Sequence, residues 1–359
     1  MLDLAQILSW LRETDSKRLE TLWRQADETR RAHVGEAVHL RGLVEISNHC
    51  IRQCAYCGLR AGNRPLVRYR MTADEIVEAA RQAVVFGYGT VVLQAGEDLA
   101  LSADWMAEVV RRIKATTSLA VTLSLGERAE EELLAWRRAG ADRYLLRFET
   151  SDRTLFDVIH PGLRDQPADR IAILRRIKAL GFETGSGIMI GLPGQTYESV
   201  ARDIAVFQEL DLDMIGIGPF IPHPATPLGN GKVRPAAVNG EQIPGTELMV
   251  YKAVALTRLV RPDANIPSTS ALATINKYNG RELGLQRGAN VVMPNLTPLR
   301  YRRLYEIYPA KACIDETGDA CNACLGARIA AIGRQLGRGK GGRPRGKMEP
   351  NLVEGGKAS

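Results

Sequence analysis

Residues 50–58 read CIRQCAYCG, which sets Cys50, Cys54 and Cys57 in C-x3-C-x2-C spacing, and no cysteine follows until Cys313. Thiolates are soft ligands that suit zinc or iron–sulfur clusters. A structural zinc wants a fourth ligand, and His49 stands beside the motif, so a Cys3His site is one reading. A disulfide plus a spare thiol is another. A [4Fe–4S] cluster normally takes four thiolates. Three here, with no fourth nearby, point to an iron with a vacant coordination position. The remaining cysteines, Cys313, Cys321 and Cys324, form a second triad in C-x7-C-x2-C spacing around the acidic stretch IDETGDA. That stretch reads as exposed, and its triad as a labile iron–sulfur cluster, a zinc site or unliganded thiols.

Such groups need elements to hold them. Short apolar, β-branched runs recur at 39–47, 90–96, 120–126, 143–149, 184–193, 214–222, 264–270 and 290–295, with helix-like segments between them. One such segment opens with Thr72 and Glu75 in capping-box spacing, and another, RIAILRRIKALG, ends at Gly181 as a helix C-cap should. Eight strands alternating with helices predict an α/β fold, a parallel sheet closed into a (β/α)8 TIM-type barrel over residues 39–300. Residues 1–38 read as an N-terminal extension of one or two amphipathic helices. Residues 301–335 read as a C-terminal segment with the second triad, and 336–359 as a flexible basic tail. Active sites of such barrels gather at the C-terminal ends of the strands. The first cysteine triad falls in the first of those loops, and polar or glycine-rich groups recur in the others.

Composition narrows the class. An apolar fraction of 45% and a charged fraction of 25% are ordinary for a soluble globular protein. No apolar run reaches the ~20 residues of a membrane span, and the N-terminus lacks signal-peptide order, so a cytoplasmic location is expected. In that compartment cysteines point to metal or redox chemistry rather than disulfides. The net charge is +7, yet residues 331–347 alone carry six basic side chains and no acid, leaving about +1 for the body. That local, glycine-rich basicity reads as a solvated tail, and nucleic acid is not the expected partner.

With Tyr56 before its last cysteine, the first triad resembles the signature of radical S-adenosylmethionine (SAM) enzymes. The segments YRMTADEIVEAARQAVVFGYGTVVLQAGED, VTLSLGE, GADRYLLRFET, GLPGQT, DMIGIGPFIPHPATPL and YEIYPAKAC together resemble the [FeFe]-hydrogenase maturase HydE family, from about residue 40 to about 345. The resemblance implies that the open iron of a [4Fe–4S] cluster binds S-adenosyl-L-methionine, and that one electron then splits it into methionine and a 5′-deoxyadenosyl radical. It implies SAM contacts from Gln94, Gly96, Glu97, Ser124, Arg147, Glu149, Arg170 and Met189. Ala95 replaces the first glycine of the family's Gly-Gly-Glu element. The implied substrate is a cysteine-bound iron carbonyl–cyanide precursor, a small organometallic anion. Cations and hydroxyls deep in the barrel should meet it, with Arg143, Arg147, Thr122, Ser124, Thr269, Ser270 and Tyr305 as candidates. Arg143 and Arg147, four apart on one strand, are expected on one face, or in structural ion pairs with Asp142, Glu149 or Glu127. Ser270 stands where threonine is typical of the family. His160 and His223 read as structural.

The resemblance further implies an external electron donor such as flavodoxin or ferredoxin, and companion hydrogenase maturases. The second triad would hold an auxiliary cluster that the family does not depend on and that could admit electrons. Rival readings are a HydE-like paralogue acting on another thiol or thiazolidine and an enzyme like methylornithine synthase. Biotin synthase needs further cysteines inside its barrel, and none lies between Cys57 and Cys313. A two-cluster electron carrier needs no such barrel.

Overall fold

The computed structural model describes residues 2–163, 168–237 and 240–344. Its parallel strands are β1 (Ala37–Ser47), β2 (Thr90–Ala95), β3 (Ala120–Ser124), β4 (Arg143–Leu145), β5 (Glu183–Ile190), β6 (Met214–Pro219), β7 (Val291–Val292) and β8 (Gln335–Leu336). Hydrogen bonding runs β6-β5-β4-β3-β2-β1-β7. Single bridges close the ring: Asn265 and Ser268 pair with Met214 and Ile217 of β6, and Pro267 pairs with Val291 of β7. The expected seventh strand, 264–270, is thus a bridged segment rather than a regular strand, and the eighth is short. The barrel is nonetheless complete, with helices outside it.

The outer helices form where the sequence punctuates them. Ala73–Val85 starts with the expected reciprocal Thr72/Glu75 capping box, and after Arg170–Ala179 the chain turns at Gly181 with φ +82°. Two N-terminal helices, Leu4–Arg12 and Ser16–Val34, bury Ile7, Leu11, Leu22 and Trp23. They are tied to the barrel's helix Glu247–Val260 by Lys252 Nζ, which donates to Leu11 O at 2.9 Å.

Two expectations fail. The strand expected over 143–149 ends at Leu145, because the ladder is interrupted beyond it: Leu146 N and Glu149 N still donate to Gly185 O and Gly187 O (3.0 Å each), but Phe148 N turns to Ser186 Oγ (3.2 Å), and Glu149 takes φ 64°. The alternation of faces is lost there, so Leu145, Leu146 and Arg147 all reach the interior cavity. The basic segment, read as solvated, is instead a strap under the barrel as far as it is described. β8 pairs with Ala37 and Val38 at the start of β1. Lys340 O accepts from Thr90 Oγ1 and Arg143 (2.9 Å each), Gly341 O accepts from Arg41 (2.9 Å), and Arg343 pairs with Asp211, Asp213 and Asp263. These partners stand at or near the N-terminal ends of their strands. The strap therefore shuts the floor opposite the cysteine loop, and residues 345–359 lie outside the described residues.

Candidate functional site

A cavity of about 310 Å³ opens at the C-terminal ends of the strands. Cys50, Cys54 and Cys57 line its mouth, on the loop that follows β1. This loop is held by close backbone packing. A Cβ on Gly96 would stand 2.2 Å from His49 O and 2.8 Å from Cys50 Cβ, so only glycine lets the end of β2 approach the loop. Gly58 is constrained in the same way by Glu306 O, at 2.2 Å.

Donor chemistry decides what these thiols hold. A tetrahedral zinc, with Zn–S about 2.3 Å, draws its sulfurs to roughly 3.8 Å apart. Among the described residues the group whose donor atoms all lie within 4.8 Å is Cys313, Glu316 and Cys321; the first triad stands wider. His49 is not in the cavity lining. Three separated thiols on one cavity rim fit a cluster better than a single ion. Burial pushes all three thiols up in the metal-free chain, Cys54 to about 12, so they are inert until a metal displaces their protons.

Behind the thiols runs a buried ionic network that sequence reasoning missed. Arg52 bridges Glu97 and Glu127 at 2.7 Å each, and Glu127 N donates to Glu97 Oε2 at 2.9 Å. Arg170 Nε donates to Glu127 Oε1 at 2.9 Å. His160 places Nε2 2.9 Å from Glu127 Oε1 and Nδ1 3.0 Å from Cys54 Sγ. Burial raises Glu127, but His160, Arg170 and Arg52 overcome it and hold the carboxyl at about 2. Burial outweighs Arg52 at Glu97 and leaves that carboxyl above its ordinary range. Burial and Arg170 push His160 down to about 4.

Most of the named candidates meet in this one cavity. Tyr56, Gln94, Glu97, Ser124, Arg147 and Glu149 line it. So do Arg170, Met189, Thr269 and Ser270. Arg147 Nε reaches Glu149 Oε2 at 3.1 Å, and Arg170 Nη1 reaches Arg147 O at 2.6 Å. Gly96 supports from behind. Three candidates do not line the cavity. Arg143 begins β4 at the floor, where Glu183, Thr90 Oγ1 and Lys340 O take its donors. The broken strand removes the shared face assumed for Arg143 and Arg147. Thr122 sits fully buried beside Arg143 in the ladder, its hydroxyl without a hydrogen-bond partner among the described residues. Tyr305 is buried behind Gln94, whose Nε2 donates to its hydroxyl at 3.2 Å.

The opposite wall carries a second surprise, the buried Glu45–Lys311 ion pair, with Asn295 Nδ2 donating to Glu45 at 2.9 Å. Both side chains line the cavity. A lone acid in the apolar run GLVEIS was the available signal for Glu45. His223, as expected, serves structure, accepting from Ala225 N at 3.0 Å. In the second triad Cys313 and Cys321 converge, but the third member of the close group is Glu316, while Cys324 stays exposed three residues along the helix Gly318–Ala331. The hydrogen bond from Cys321 draws Cys313 down to about 7.

Comparisons agree with this geometry. A family model described as the radical SAM superfamily matches residues 44–207. The chain is 48% identical to the [FeFe] hydrogenase maturase subunit HydE of Thermotoga maritima, over 91% of this chain and 89% of the relative. It is 29% identical to 3-methylornithine synthase of Methanosarcina acetivorans, over 81% of this chain and 77% of the relative. The crystal structure of methylornithine synthase (PylB) overlays with TM-score 0.78 at 25% identity, covering 94% of this chain and 95% of that one. With its three thiols on the rim of a closed barrel, the chain belongs to the [FeFe]-hydrogenase maturase HydE family of the radical SAM superfamily, whose members use a [4Fe–4S] cluster and S-adenosylmethionine.

Proposed function

We propose that the protein matures [FeFe] hydrogenase by reductively cleaving SAM inside the barrel and directing the adenosyl group at a cysteine-bound iron carbonyl–cyanide precursor. The observation that carries this reading is the single cavity shared by Cys50, Cys54 and Cys57 with an acid suited to an ammonium, Glu97, and two guanidiniums suited to a carboxylate, Arg147 and Arg170. SAM presents both of those groups on one carbon. Cys50, Cys54 and Cys57 would hold the cluster, which supplies the electron that breaks the sulfonium–carbon bond. The chain's own residues do the rest. Glu97, Arg147 and Arg170 orient SAM, Met189 offers an apolar wall to its adenine, and the floor strap and outer helices exclude water from a reactive carbon radical. Thr269, Ser270 and Lys311, which also line the cavity, offer donors to an anionic substrate.

The proposed partners are an external one-electron donor and companion hydrogenase maturases. Among the described residues no helix is long and apolar enough to cross a membrane. Anaerobic reconstitution with iron and sulfide, followed by reduction with SAM present, should yield 5′-deoxyadenosine and methionine. Adding the protein to a maturation mixture that lacks it should restore hydrogenase activity. Deoxyadenosine without restoration would sink the maturase assignment and favour another small substrate, as in the methylornithine-synthase reading.

A further inference from the structure

The cluster needs an electron from outside, and the charges around the cysteine loop indicate where it enters. From Cys50 to Ala73 the chain has five arginines and no acid, and from Met214 to Gly240 it has Lys232, Arg234 and again no acid. The fold joins these two distant loops. Leu228 N donates to Ala55 O at 3.0 Å, Leu228 packs on Ala55, and Val233 lies against the same small apolar cluster. Two arginines are already neutralised: Arg52 by Glu97 and Glu127, and Arg70 by Asp98. The rest meet no carboxylate among the described residues. Arg60 donates to Cys54 O and Gln53 O, and Arg68 to Leu59 O and Arg60 O. Arg234 donates to Gly231 O, while exposed Arg64 and Lys232 have no side-chain hydrogen bond or ion pair among the described residues.

Uncompensated cations therefore crowd the outer side of the loop that carries the cluster ligands, with Val67, 63% exposed, among them. Glu306, whose carbonyl abuts Gly58, is a carboxylate at the border of this face. Arg60 is bonded directly to the carbonyl of Cys54, so the surface and a cluster ligand are separated by one side chain. The second triad has the opposite character. Its loop carries Asp315, Glu316 and Asp319; Asp315 pairs with Arg303, and Glu316 and Asp319 form no ion pair among the described residues. An acidic protein would be attracted to the first face and repelled by that loop.

We infer that the face formed by loops 58–68 and 227–234 docks an acidic one-electron carrier protein, which reduces the cluster held by Cys50, Cys54 and Cys57. The inference rests on the radical SAM reading above. In the transfer the carrier's reduced flavin or iron–sulfur centre loses one electron and the cluster gains it, and no bond or proton changes hands at the interface.

The test uses the full chain with reconstituted cluster and SAM. Deoxyadenosine formation is driven either by flavodoxin hydroquinone or by photoreduced 5-deazariboflavin, which is small and does not dock. The triple variant R64E/K232E/R234E should lose about tenfold or more of its apparent second-order rate with flavodoxin at low salt. Its rate with deazaflavin should stay within about twofold of the parent, and the flavodoxin rate of the parent should fall as salt rises. R64K/K232R/R234K should keep the parent rate. An unchanged flavodoxin rate in the reversal triple overturns the docking face. So does an equal loss in a matched reversal on the outer helices, K17E/R81E/R111E, because the effect would then be one of net charge. Failure of deazaflavin to drive cleavage in the parent would instead overturn the radical SAM reading itself.

Discussion

Cys50, Cys54 and Cys57 differ from Cys313 in the metal-free chain by more than position. Burial holds the first three thiols protonated, whereas the Cys321 hydrogen bond brings Cys313 to about 7. Iodoacetamide at about pH 7.5 should label Cys313 and exposed Cys324 well before Cys54 and Cys57, since the thiolate is the nucleophile. Peptide mass spectrometry of the unreconstituted protein reads the order directly. Once metal is bound, the ranking of importance reverses: Cys57→Ser should abolish deoxyadenosine formation, while Cys321→Ser should leave most of it. Tyr305→Phe tests whether Tyr305, which lies behind Gln94 and not in the cavity lining, acts only through Gln94. If Tyr305 only steadies Gln94, the loss of one hydrogen bond, worth about 0.5–1.5 kcal/mol, should raise KM for SAM by about two- to tenfold with kcat kept. A collapse of kcat would restore Tyr305 as a catalytic residue. The thiols and Glu97 were legible in the sequence because their spacing and loop position carry the signal. Glu45–Lys311 and the links from Arg52 and Arg170 to Glu127 were not, because such pairs are set by which strand ends meet in space rather than by local pattern.

At the level of elements, the first six strands were legible in position because period and length agree in each, and apart from the early end of β4 at Leu145 their ends fall within a few residues of the observed ones. Segment 264–270 and the strand at 290–295 were less so, since their ladder is shared out among single bridges and side-chain bonds. Leu145–Glu149 shows a different failure. Ser186 Oγ replaces a backbone acceptor, and the left-handed Glu149 re-aims the chain so that Arg147 and Glu149 reach the cavity while Arg143 stays at the floor. The strap shows how composition misleads: glycine and arginine read as solvated, yet the glycines allow close approach and the carbonyls of Lys340 and Gly341 satisfy buried Arg143 and Arg41. Deleting residues 337–359 should take one carbonyl acceptor from each of those guanidiniums, at about 1–3 kcal/mol for each group left short, and lower Tm by roughly 3–8 °C. An unchanged Tm in calorimetry would return the tail to a passive role. Gly96→Ala should cost cluster content rather than fold, because its clash is with His49 O and Cys50 Cβ; iron analysis beside a preserved circular dichroism spectrum checks this.

The whole molecule is a cylinder with a floor sealed by the chain's own strap and an open mouth whose rim carries three thiols. Its outer charges are segregated, with basic loops around the first triad and an acidic loop within the second. This arrangement suits one reducible centre that meets SAM on the inside and an electron carrier on the outside. The most direct test is electron paramagnetic resonance of the reconstituted, reduced protein before and after SAM is added, with deoxyadenosine measured in the same sample. The predicted result is a reduced-cluster signal whose g-values shift on SAM addition, followed by stoichiometric deoxyadenosine, with both lost in Cys57→Ser. A signal that ignores SAM, with no deoxyadenosine formed, would contradict the account.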